Sequence, residues 1–207
     1  HVIIKSLNMI FYRYWRLHMK IAVLFVSQRN NGNSNIIEKR LLNYSHLFEF
    51  DFIRMSELKI EGCVACAKCA QTGKCILPST PTDMFEVVFS KLKNADVILV
   101  ITPIYSPYPS RLTALMERLL SISYFSHELG GMERPLINKK TGIICYGSSK
   151  IEDDTQLKLL FQKYLMDNYS FTDITYDYLN DVKNPNSIYN NVVDYVEDIV
   201  KHIPNIQ

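Results

Sequence analysis

Four cysteines fall within thirteen residues, in the spacing Cys63-x2-Cys66-x2-Cys69-x5-Cys75. Four thiolates on one short loop are the ligand set of a [4Fe–4S] cluster. Zinc also accepts four cysteines, but structural zinc sites usually draw on two pairs held apart by a longer spacer. The compact spacing therefore favours iron–sulfur over zinc. Two plainer readings stand beside it: free thiols packed in a loop, or a pair that closes into a redox-active disulfide. Gly73 lets the chain turn before the fourth cysteine. The fifth, Cys145, lies in an apolar run and reads as a small core residue.

Three further loops carry polar or planar chemistry. The first is Ser27-Gln28-Arg29-Asn30-Asn31-Gly32-Asn33-Ser34-Asn35, which follows an apolar run and precedes a helical pattern. Hydroxyls, amides and an arginine ahead of a helix N-terminus suit an anion such as a phosphate. It matches neither a Walker motif nor G-x-G-x-x-G. The competing reading is a polar turn with Asn35 as helix cap and Glu38 three residues on. The second is Thr102-Pro103-Ile104-Tyr105-Ser106-Pro107-Tyr108-Pro109-Ser110. Its prolines stiffen it and its tyrosines offer flat faces for a planar ring; otherwise it simply ends a strand, with Ser110 capping the next helix. The third, Tyr146-Gly147-Ser148-Ser149, is a small polar turn.

These loops need a scaffold, and the chain alternates short apolar runs with helical stripes. Residues 21–26 form a continuous apolar run, as expected of a strand covered on both faces. Residues 35–44 place Ile37, Leu41 and Tyr44 at helical spacing. Residues 47–53 read as a weaker strand. Met84, Val87, Val88 and Leu92 mark a second helix. Residues 96–101 (DVILVI) are the clearest strand. Leu112, Leu115, Met116, Leu119 and Leu120 form an i, i+3, i+4, i+7, i+8 stripe. Residues 141–146 and 171–178 read as the fourth and fifth strands, and 157–165 and 188–200 as helices. Strand–helix alternation with right-handed crossovers predicts a doubly wound α/β domain. Ligands in such folds bind beyond the carboxyl ends of the strands, where the three polar loops fall. Residues 60–82 are the long break in the alternation, and a loop of that length is usually functional.

The chain has 207 residues, 47% hydrophobic and 21% charged, which suits one domain with a sizeable core. Residues 1–18 hold Lys5, Arg13 and Arg16 and no acid; the rest balances 20 basic against 21 acidic residues. That near-neutral body argues against nucleic acid as a partner. No apolar run approaches the ~20 residues of a membrane span. An odd cysteine count with one tight cluster fits a reducing, cytoplasmic setting rather than a secreted disulfide scaffold. The opening residues do not read as a secretory signal. Met19-Lys20-Ile21-Ala22-Val23 reads like a natural beginning, so 1–18 are expected to be an extension, either non-native or an oligomer contact, ahead of a domain over 19–207.

Taken together, these residues resemble the flavodoxin-like family of NADPH-dependent FMN reductases and iron–sulfur flavoproteins. Ser27, Arg29, Gly32, Asn33 and Ser34 match its phosphate loop, Asp83-Met84 its Asp-Asp-Met helix start, and Thr102 to Tyr105 its Ser/Thr-Pro-hydrophobic-Tyr strand end. Thr82 departs from the first Asp of that pair, Ala65 from a common Gly, and Glu117 from the usual Asp before Arg118. The resemblance implies a flavodoxin-like three-layer sandwich with a five-stranded parallel sheet of order 2-1-3-4-5. It implies that Ser27, Arg29, Asn33, Ser34 and Asn35 hold an FMN phosphate. Pro103, Ile104, Tyr105 and Ser106 would line the flavin ring, and Gly147 and Ser148 would close its other side. Cys63, Cys66, Cys69 and Cys75 would bind a [4Fe–4S] cluster.

The activity so implied is an FMN-dependent oxidoreductase with NAD(P)H or a reduced carrier as donor. A quinone, a free flavin or a redox carrier protein would be the acceptor. No side-chain acid or base is required. Homodimers or homotetramers are expected by the same resemblance. Two rivals are a non-enzymatic electron carrier with FMN and a cluster, and a thiol-based redox sensor.

Overall fold

Every residue from Ile21 to Val26 is buried, and the reason is two-sided packing. In the computed structural model, which describes residues 19–29, 32–77, 82–103, 108–136, 139–146 and 174–179, this run is strand β1 (Lys20–Phe25). Alternate side chains of a strand leave on opposite faces. Ile21, Val23 and Phe25 pack with Ile37 and Leu41 of helix α1 (Asn33–Leu42). Ala22, Leu24 and Val26 pack on the other face with α3 (Phe85–Asn94) and α4 (Ser110–Leu120). Strand β3 (Val97–Pro103) divides likewise: Ile98 and Val100 join the second cluster, Val97, Leu99 and Ile101 the first.

Strands β2 (Glu49–Arg54), β4 (Lys140–Tyr146) and β5 (Ile174–Leu179) complete a five-stranded sheet of order β2-β1-β3-β4-β5, parallel at every pairing. This is the flavodoxin-like architecture and strand order expected from the sequence. The order reverses between β1 and β3, so the loops after these two strands flank one crevice at the carboxyl edge.

Several local expectations shift. Helix α1 starts two residues before the predicted 35, with Gly32 rather than Asn35 at the N-cap. Pro109, not Ser110, is the N-cap of α4. Val87 is 40% exposed; the inward face of α3 is Phe85, Val88, Phe89 and Leu92, because Phe85 and Phe89 supply the i, i+4 pair that seats the helix. The long loop is not featureless. After the 3-10 turn Met55–Glu57 it carries a short helix, α2 (Cys69–Thr72). Gly73 caps α2 in the left-handed region, φ 64°, its N–H donating to the Cys69 carbonyl at 2.8 Å, as its position before the fourth cysteine required.

The helix begun by α4 continues beyond the predicted stripe, through a π turn (Ser121–Phe125) into α5 (Ser126–Gly130). Ser121, Ser123 and Ser126 each donate a hydroxyl to the carbonyl four residues earlier. Such back-bonding competes with the regular ladder and locates the irregular turn. Residues 1–18, the helices expected over 157–165 and 188–200, and the start of the expected fifth strand lie outside the described residues.

Candidate functional site

The loop after β1 has the makings of an anion site. Ser27 is buried, and its Oγ accepts the Arg29 N–H at 3.2 Å. Gly32, which has no side chain to bond the helix end, caps α1 in extended conformation, and the first turn holds no acid. The Ser34 hydroxyl, one residue into the helix, is buried without a hydrogen-bond partner. A buried hydroxyl without a partner costs free energy. Ser27, Arg29, Ser34 and Asn35 line one shallow pocket with Phe25, Glu38, Arg54 and Ser56. The Glu38 carboxylate would repel an anion there, but Arg54 pairs with it. The cradle fits a phosphate: an orphaned donor, a cation and a helix N-terminus converge on it. Asn33 opens α1 at the same place.

Of the ring-lining residues, Pro103 ends β3 and is buried. Ile104, Tyr105, Ser106, Gly147 and Ser148 lie outside the described residues. The strand ends that lead to them stand together, however: Pro103 pairs in register with Tyr146.

The four loop cysteines are free thiols, and all four line one cavity of about 470 Å³. Its far wall is the end of α4 and the π turn, through Glu117, Arg118, Leu120, Ser121, Ile122 and Phe125. Cys63 is held there twice: its N–H donates to Glu117 Oε2 at 3.3 Å, and its Sγ lies 3.4 Å from Ser121 Oγ. Ala65 and Ala67, on either side of Cys66, adopt positive φ of 51° and 55°. Side chains with a Cβ rarely take that conformation, and it persists where surroundings impose it, often at functional sites. Left-handed residues in a short run also turn backbone N–H groups into one concavity, a device of many iron–sulfur loops.

Burial pushes the Cys69 thiol up; the backbone N–H groups of Ala70 and Cys69 oppose the shift, and charge on Cys63 and Cys66 adds to it. Bound iron would offset both the burial and the mutual repulsion. Among the described residues no three His, Cys, Asp or Glu side chains converge tightly enough to hold a metal ion.

Arg118, to which the sequence reading gave no role, lines this cavity, and Asp83, matched there only as a helix start, pairs with it. Arg118 is 1% exposed, and its Nη1 donates to both carboxylate oxygens of Asp83 at 2.8 and 2.6 Å. The available signal was a charge three residues after Leu115, on the apolar face of an otherwise regular stripe. A second cavity, of about 530 Å³, sits at the opposite edge of the sheet by Lys20, Glu49, Asp51 and Lys91. Its charges answer one another, Lys20 with Glu49 at 3.5 Å and Lys91 with Asp51 at 2.5 Å, and it is remote from the loops above.

The parallel sheet of order β2-β1-β3-β4-β5 with helices on both faces defines a flavodoxin-like domain. Residues 19–167 match the family described as NADPH-dependent FMN reductase, and the chain belongs to that family. An iron–sulfur flavoprotein of Methanocaldococcus jannaschii is 27% identical over 135 residues, 64% of this chain and 64% of that protein. An iron–sulfur flavoprotein of Methanosarcina thermophila is 32% identical over 103 residues, 48% of this chain and 52% of that protein. Each match thus spans less than two thirds of the relative's own length. The solved NAD(P)H:quinone oxidoreductase of Methanothermobacter marburgensis superposes with a TM-score of 0.68 at 15% identity, covering 90% of this chain and 99% of that one. At that identity the likeness is one of fold.

Proposed function

We propose that this protein is an FMN-dependent oxidoreductase whose cysteine loop holds a [4Fe–4S] cluster. The observation that carries the flavin reading is the orphaned Ser34 hydroxyl in the first turn of a helix capped by Gly32, beside Ser27 and Arg29. Ser27, Arg29, Asn33, Ser34 and Asn35 would hold the FMN phosphate. Pro103, Ile104, Tyr105 and Ser106 would line the ring, with Gly147 and Ser148 closing its far side. Bound there, FMN supplies hydride acceptance and release of electrons singly or in pairs. The chain's part is to anchor the phosphate, orient the ring between the ends of β3 and β4, and keep the second redox group on the neighbouring loop.

Membership of the FMN reductase family supports NAD(P)H as donor, and both curated relatives carry the name iron–sulfur flavoprotein. The acceptor in this reading is a quinone, a free flavin or a redox carrier protein, and the working unit is a cytoplasmic homodimer or homotetramer without nucleic acid or membrane. Among the described residues no helix is long and apolar enough to cross a membrane. A pure electron carrier is the second reading. The exposed apolar side chains Val64, Ile76, Phe125 and Leu129 around the cysteine cavity favour it, because such a rim suits contact with another protein.

The test is the ratio of iron and acid-labile sulfide to FMN in protein purified without air, followed by turnover with NADPH and a quinone. Roughly four irons and four sulfides per FMN, with quinone-dependent turnover, are expected. FMN without iron leaves a plain flavin reductase. Cofactors without turnover select the carrier. Neither cofactor, even after reconstitution, overturns the proposal.

A further inference from the structure

Arg118 spends its two terminal nitrogens on different partners. Nη1 binds the Asp83 carboxylate and reaches the Glu61 carbonyl at 3.4 Å, while Nη2 donates to Cys75 Sγ at 3.3 Å. The guanidinium carbon lies 3.9 Å over the Phe85 ring. Asp83 is fixed in turn, since its Oδ1 accepts the N–H of Phe85, the first residue of α3, at 3.1 Å. The cation is therefore held in place by a carboxylate and a ring, with one fork pointed at a sulfur.

We propose that Arg118 is a positioning residue for Cys75, a buried charged donor that fixes this sulfur as a cluster ligand and raises the cluster's reduction potential. The inference rests on the iron–sulfur reading above. Hydrogen bonds to sulfur ligands withdraw electron density and stabilise the more negative, reduced cluster. Partners of the ligands also fix their orientation. Arg118 differs from the other polar contacts of the loop in both respects. Its donor is charged and almost wholly buried, whereas Cys63 faces a neutral serine hydroxyl. A hydrogen bond from a charged group is the stronger kind, and it is screened least where water is excluded. The Asp83 pairing keeps the buried charge neutral overall and leaves the N–H dipole aimed at the Cys75 sulfur.

The test compares whole protein with Arg118→Gln and Arg118→Lys, purified without air. Iron-to-FMN ratio, melting temperature and the cluster's midpoint potential are measured on each. Arg118→Lys keeps a cation for Asp83 without the planar second fork, so it removes the bond to Cys75 alone and serves where Arg118→Gln does not fold. Arg118→Gln is expected to lower the one-electron reduction equilibrium at least tenfold, which is 59 mV, and Arg118→Lys, which keeps the charge, to shift it less in the same direction. Selective loss of iron, with FMN content and melting temperature kept, also supports the positioning role. A full cluster at unchanged potential in a folded variant overturns the proposal. Wild-type protein that binds FMN but never iron instead removes the cluster reading on which it rests, and that result is visible before any variant is made.

Discussion

Gly130 packs against Ala70 so closely that a Cβ added to it would stand 2.8 Å from the Ala70 carbonyl carbon and nearer still to its oxygen. Backbone meets backbone here, at the contact between α5 and the helix that begins with Cys69. The cysteine loop is thus seated by a residue with no side chain, sixty positions along the chain from it.

Gly130→Ala is expected to push α2 off α5 and displace Cys69. Overpacking of this kind costs about 1–3 kcal/mol. Cluster content should fall while FMN binding, whose candidate phosphate residues line a separate pocket, is retained. Iron and FMN analysis with a thermal melt checks both halves.

Ser34→Ala separates stability from binding. The hydroxyl is buried and unpartnered, so its removal should leave the flavin-free protein as stable as before or slightly more so. Its hydrogen bond to a bound phosphate would be charge-assisted, of about 1.5–3 kcal/mol. FMN affinity should therefore weaken by roughly 10- to 150-fold. A fluorescence titration and a melt of the apoprotein give the two readings.

Asp83→Ala leaves the Arg118 guanidinium buried beside nothing that answers its charge. Breaking one side of a buried pair costs about 3–5 kcal/mol, and these side chains are 1% and 5% exposed. Glu49→Ala breaks the Lys20–Glu49 pair, whose side chains are 52% and 61% exposed; exposed pairs contribute little, and no measurable loss is expected. Denaturant unfolding of the two variants side by side should show the contrast.

In cluster-free protein Cys69 should alkylate more slowly than the exposed Cys66. Burial raises its pKa, and the thiolate is the nucleophile. Its rate should climb at higher pH in the folded protein than in urea. Linkage runs the same way: the folded state holds this proton more tightly. Its contribution to stability is whole below the unfolded thiol's pKa and is lost as pH rises through the folded value. Alkylation mapped by mass spectrometry across the alkaline range would show the order.

Local pattern carried much of this protein into view. The apolar run 21–26, the DVILVI strand and the stripe from Leu112 each encode their element, because burial on two faces or on one leaves a period in the sequence. The polar residues after β1 and the four cysteines were legible as types and spacings. Helix starts were less so: Gly32 displaced Asn35 as the cap, since any residue in extended conformation can fill that place without a side-chain bond.

Alone, the sequence determined a flavodoxin-like α/β domain, a phosphate-type loop and a cluster-type cysteine spacing. Only the tertiary structure decided what surrounds them. It set the end of α4 and the π turn against the cysteines, brought Arg118 to Cys75 across 43 positions, and left Ser34 buried without a partner. Periodicity reports which face of an element is covered; which side chain meets which is fixed by packing between elements far apart in the chain, and no local pattern records it.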